Sequence, residues 1–199
     1  EKAEVARQDV ITASGNENIA VQLADLGRMS EVRALAARLL ESEPAIHVLV
    51  NNAAILPDKR ELTTEGLEQT FATDLLSPYL LTELLLPRLR ASAPARIVYV
   101  LSGGMYLSGL EADDLEYEKG KFDGSRAYAR AKRALMVLTE QWAEELVGSG
   151  VVVNAMHPGG ADTPGVANSL PGFHGLMKPL LRSPEQGADT IVWLAAAPE

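Results

Sequence analysis

The stretch IHVLVNNAA, residues 46–54, sets Ile46, Val48, Leu49 and Val50 on both faces of an extended chain. Strands that are apolar on both faces belong to parallel sheets covered by helices on each side. The runs RIVYVLSGG (96–104) and VVVNAMHPGG (151–160) have the same character, and the shorter IAVQLADL predicts a strand at 19–25. The segments between them have helical spacing. EKAEVARQDVITASG (1–15) places Val5, Val10 and Ile11 on one side and ends at Gly15, a cap. EVRALAARLLESE (31–43) follows Ser30 as its cap, and TTEGLEQTFATDLL (63–76) and PYLLTELLLPRLRAS (78–92) are both helical in pattern. SRAYARAKRALMVLTEQWAEEL (125–146) is amphipathic, and SPEQGADTIVWLAAA (183–197) opens with Ser183, Pro184 and Gln186 arranged as a capping box. Trp142 and Trp193 fall on helix faces and are expected in the core. Helices alternating with buried strands predict an α/β fold, a doubly wound parallel sheet in a single domain over 1–199.

Composition excludes several classes of function. With 199 residues, 47% of them apolar and 23% charged, the chain suits a globular domain with a sizeable core. A net charge of −9 without a basic cluster argues against a nucleic-acid partner. The absence of cysteine excludes disulfides and thiolate metal sites, fits a reducing compartment and gives the expectation of a cytoplasmic protein. His47, His157 and His174 are far apart in sequence and show no ligand spacing, so no metal is expected. The acidic LEADDLEYE (110–118) reads as a solvated loop face. The longest apolar stretch, YLLTELLLPRL, is broken by Glu83 and Pro87 and is too short to span a bilayer.

In open parallel sheets, ligands bind in the crevice beyond the carboxyl ends of the strands. That rule draws attention to Asp25, to NNAA at 51–54, to SGG at 102–104 and to HPGG at 157–160. The helix at 125–146 adds Tyr128 and Lys132, one turn apart on one face. The pair is either incidental packing or a proton-transfer device. A tyrosine titrates near pH 10, and an ammonium close by favours the phenolate and lowers that value. Ser102, at a neighbouring strand end, would hold a carbonyl or alcohol oxygen against the phenol.

These elements, in this order, resemble the short-chain dehydrogenase/reductase family. NNAA stands for its NNAG strand end, Ser102 after RIVYVL for its serine, YARAK for its tyrosine and lysine, and HPGGADT (157–163) for its PG-x-x-x-T segment. The resemblance covers essentially the whole chain. It implies a Rossmann-like fold and an NAD(P)-dependent oxidoreductase that interconverts a carbonyl and an alcohol, with a leaning to NADP over NAD. Tyr128 would be the general acid/base, Lys132 would bind the nicotinamide ribose and Ser102 would orient the reacting oxygen. Asp25 and Leu26 would meet the adenine, Asn51 and Ala53 would line the cofactor, and Pro158, Gly159 and Thr163 would border the nicotinamide. Asn51 has the alternative of closing a strand end, and Gly159 that of making a turn. The family also implies a homo-oligomer, through the helices at 78–90 and 125–146.

The chain departs from the family pattern at several points. Asp74 in FATD stands where the family has its catalytic asparagine, and an ionised aspartate cannot donate a hydrogen bond. Ala54 replaces a glycine, and Leu101 replaces a serine found in many members. The family's first β-α-β unit with its Gly-rich phosphate turn, and its last strand, have no counterpart here. The expectation is a fragment of a longer protein or a sequence lacking its beginning, with 19–25 deprived of a neighbour. A catalytically impaired relative acting as a binding or scaffold protein is the alternative function. The segment 164–182 suits a substrate lid, and Leu170, Phe173, Leu176 and Met177 hint at an apolar carbonyl or alcohol; covering the core is the other reading.

Overall fold

Three parallel strands, β1 (Val48–Asn51), β2 (Ala95–Val100) and β3 (Val151–Met156), pair in the order β1-β2-β3. Register sets Asn51 beside Tyr99 and Val100 beside Met156, so the three carboxyl ends finish along one edge. The protein is a computed structural model describing residues 1–163, 165, 167 and 171–198, without the side chains of 171, 173 and 176. Its helices are α1 (Lys2–Ser14), α2 (Met29–Ser42), α3 (Ser77–Ala91), α4 (Gly124–Glu145), α5 (Pro171–Met177) and α6 (Pro184–Ala196).

β2 is the centre of the structure because both of its faces are covered. Ile97 and Tyr99 pack with Leu85 and Leu89 of α3 and Leu135 and Trp142 of α4. Val98 and Val100, on the opposite face, meet Met156 with Ile191 and Leu194 of α6. Ile97 and Val98 are fully buried, each contributing about 1.5–3 kcal/mol. Helices on both faces of a parallel sheet make the fold the doubly wound α/β type. The Arg96 guanidinium donates to the Leu194 and Ala197 carbonyls and so satisfies the end of α6. The Ser183 capping box at the other end of α6 is present as expected.

Several expectations need correction. Residues 19–25 form no strand: no described strand lies beside them to hydrogen-bond, and Arg7 and Arg38 take the carbonyls of Ile19 and Leu23 instead. The face of β1 carrying Val48 and Val50 stays partly exposed, since neither valine belongs to a packed cluster. The helix expected from 63 starts later. Gly66 at φ +80° turns the chain and Leu62 bridges Glu68, whose carboxylate then caps the new helix through Thr70 and Phe71 N–H. Ser30 does not cap α2. The Glu65 carboxylate, far away in sequence, accepts Met29 and Ser30 N–H in that role. Trp193 lies off the Ile191–Leu194 face of α6 and is 64% exposed. Gly15, at φ +69°, does end α1. Leu170 and the side chains of Phe173 and Leu176, from the expected lid, lie outside the described residues. Among the described residues, no helix is long and apolar enough to cross a membrane.

Candidate active site

The start of α4 builds one wall of the site. Asp123 caps the helix by accepting Arg126 N–H at 2.9 Å. The next residue, Gly124, is buried where an added Cβ would stand 2.0 Å from the Pro57 carbonyl oxygen. Only glycine lets the loop leaving β1 lie against this helix. The approach encloses a cavity of about 1180 Å³ beyond the carboxyl ends of the strands. Ala54, Ile55, Leu56 and Pro57 line it from the β1 side, Ser102, Gly103 and Gly104 from the end of β2, and His157, Gly159, Gly160 and Thr163 from the end of β3. Tyr128, Arg126 and Ala129 complete the wall from α4.

Ser102 and Tyr128 therefore meet at one surface. The serine hydroxyl lies beside the phenol, whose pKa it pulls down, and it accepts Gly104 N–H at 3.2 Å. Behind them, Lys132 is buried, donates to the Val100 carbonyl at 3.0 Å and lies 5.6 Å from the Tyr128 ring centroid. An ammonium has three donors, so donor capacity remains for a ribose hydroxyl. Asp74 sits deeper, on a π-helical turn, Phe71–Leu76, in which Ser77 N–H reaches back to the Ala72 carbonyl. Its Oδ1 accepts Ile55 N–H at 2.9 Å, while Oδ2 is buried without a hydrogen-bond partner.

The electrostatics follow from this burial. Desolvation pushes Asp74 up to about 7, against the pull of Lys132 and of the Ile55 N–H, and Glu68 adds a little more. Burial lowers Lys132, partly offset by Asp74. Tyr128 is raised above the ordinary tyrosine value, first by burial, with the Ser102 hydroxyl opposing and the Asp74 charge adding to it. The expected lowering of Tyr128 by Lys132 is not seen: burial raises the phenol, and the ammonium is held on the Val100 carbonyl.

Five other expected site residues are not part of this cavity's lining. The side-chain amide of Asn51 points to the Thr82 hydroxyl at 3.2 Å, which also accepts the Tyr99 phenol. Asp25 turns its carboxylate onto Gly27 N–H ahead of α2, with Leu26 inside that turn. Ala53 is exposed, and Pro158 lies against Gly187 of α6. None of these five lines the cavity. His157 does line it, accepts Gly159 N–H at 3.3 Å and stands edge-on to Tyr106. His174 is bonded to Asp162 at 2.7 Å. In the acidic loop, Asp114 pairs with Arg130 and Glu116 accepts Glu68 N–H, so these carboxylates tie the loop down. Among the described residues, no group of three or more His, Cys, Asp or Glu is placed to hold a metal. Gly124 and Arg126 were not singled out beforehand, although a glycine after the Asp123 cap was a visible signal of close approach.

A parallel sheet wound on both sides, with Ser102, Tyr128 and Lys132 gathered beyond its strand ends, defines a class of nucleotide-fold oxidoreductases. The family model described as enoyl-(acyl carrier protein) reductase matches residues 1–196, and the chain belongs to the short-chain dehydrogenase/reductase family. Dehydrogenase/reductase SDR family member 12 from Bos taurus is 44% identical over 99% of this chain and 61% of its own length. Retinol dehydrogenase 13 from Mus musculus is 35% identical over 100% of this chain and 62% of its own. A protein from Beutenbergia cavernae, solved with NADP at low occupancy and described as a candidate NAD(P)-dependent gluconate 5-dehydrogenase, superposes with a TM-score of 0.74. It shares 25% identity over 98% of this chain and 75% of that one. The chain thus spans about 60% of the length of the curated relatives it matches.

Proposed function

We propose that the protein reduces a carbonyl to an alcohol with NAD(P)H, NADP being the favoured form, and that Tyr128 supplies the proton. The observation that carries this reading is that Ser102 and Tyr128 line one cavity beyond the strand ends, with the Lys132 ammonium 5.6 Å from the Tyr128 ring behind them. The free donors of Lys132 suit a ribose, and Pro158, Gly159 and Thr163 would border the nicotinamide, with Asp25, Leu26, Asn51 and Ala53 on the adenosine side. When bound, the nicotinamide supplies or takes a hydride.

The chain's own residues then manage the oxygen. Ser102 donates to the carbonyl oxygen and holds it against the phenol. As the carbon gains the hydride, the oxygen takes the Tyr128 proton, leaving an alcohol and a phenolate that Lys132 stabilises. Asp74 also fits. A carboxyl titrating near 7 is protonated in a large fraction of molecules and can donate a hydrogen bond, which weakens the case for an impaired relative. Assembly as a homo-oligomer and a cytoplasmic location belong to the same proposal.

The test is reduction of a panel of aldehydes and ketones by the full-length protein with NADPH, followed as loss of nicotinamide absorbance. Turnover of at least one carbonyl is expected. No turnover across the panel, together with no NADPH binding, would return the protein to a binding role.

A further inference from the structure

Asp123 and Arg126 are the carboxylate and the guanidinium on the cavity wall, and they differ in what they are free to do. Asp123 is engaged as the cap of α4, accepting the backbone N–H of Arg126. The Arg126 guanidinium enters no ion pair and no hydrogen bond among the described residues. Arg126 is exposed, and Ile55, Leu56, Pro57, Leu107 and Ala129 give the same cavity an apolar part of its lining. The chain carries a net charge of −9, a field that repels anions in general, so an unpaired cation at this wall is where an anionic ligand would be admitted.

Position limits how such a ligand lies. Arg126 stands two residues before Tyr128, which places the two side chains about 200° apart around the helix axis. One atom of a ligand cannot meet both. Building on the carbonyl-reductase reading above, we infer that the substrate is amphipathic: its carbonyl meets Ser102 and Tyr128, an aliphatic body lies on Ile55, Leu56 and Leu107, and a remote carboxylate pairs with Arg126. Arg126 is then a specificity-determining residue.

The experiment compares decanal with its ω-carboxylate analogue in the full-length protein with NADPH, and separately measures the melting shift caused by decanoate. Wild type is expected to favour the carboxylate substrate by about tenfold in kcat/KM. Arg126→Gln should erase that preference by lowering kcat/KM for the carboxylate substrate about tenfold more than for decanal, and Arg126→Lys should keep part of it. Decanoate should raise the melting temperature of wild type and not of Arg126→Gln. Equal loss on both substrates, an unchanged preference in Arg126→Gln, or a decanoate shift independent of Arg126 would overturn the inference. If neither aldehyde is reduced but the decanoate shift depends on Arg126, the anion site stands and the reductase reading falls.

Discussion

Asp74→Asn isolates the energetic cost of the buried carboxylate. Asp74 is fully buried, with one oxygen on Ile55 N–H and the other unpartnered. Asparagine keeps the acceptor and resembles the protonated acid at every pH. A carboxyl that titrates near 7 when folded, against its ordinary 3.8, forfeits about 4 kcal/mol of stability as pH rises from the unfolded value through the folded one. The loss is absent in acid and complete above neutrality, because the folded state holds the proton more tightly. Asp74→Asn escapes it. In a chain of this size that is a gain of about 10 °C in melting temperature above pH 7, shrinking to little near about pH 4. Melting curves of both proteins by circular dichroism across that range measure the gap. A gap that stays constant, or narrows as pH rises, would refute the assignment of the cost to an ionising Asp74.

Two further substitutions test the frame of the site. Gly124→Ala drives a methyl into the Pro57 carbonyl, and parting the β1 loop from α4 should cost about 1–3 kcal/mol in urea unfolding and weaken substrate binding. Unchanged stability would show that the loop is not held there. Thr82→Val leaves the Tyr99 phenol and the Asn51 amide without their shared acceptor, and should lower stability by about 1–3 kcal/mol in the same assay, with no change in the pH dependence of turnover.

What was legible in the sequence was what local pattern determines. The runs at 46–54, 96–104 and 151–160 announced parallel strands, and β2 is covered on both faces as such runs require. Helix ends chosen by a neighbouring residue, such as Gly15 and Ser183, were also readable. Contacts between distant segments were not. Glu65 displaces Ser30 as the cap of α2, and Gly66 with Glu68 delays the helix expected from residue 63. The strand expected at 19–25 had the right composition, but a strand exists only where a neighbour accepts its hydrogen bonds. In the site, Ser102, Tyr128 and Lys132 came together as spacing suggested. The sign of the Tyr128 shift did not follow, because burial is a property of the packed structure and spacing conveys only proximity.

The most direct measurement is Tyr128→Phe in the full-length protein, with NADPH binding and carbonyl turnover measured on the same sample. If Tyr128 delivers the proton, kcat should fall by about 10²–10⁴ while NADPH affinity and melting temperature hold. Turnover within a few-fold of wild type would contradict that role and remove Tyr128 from the chemistry.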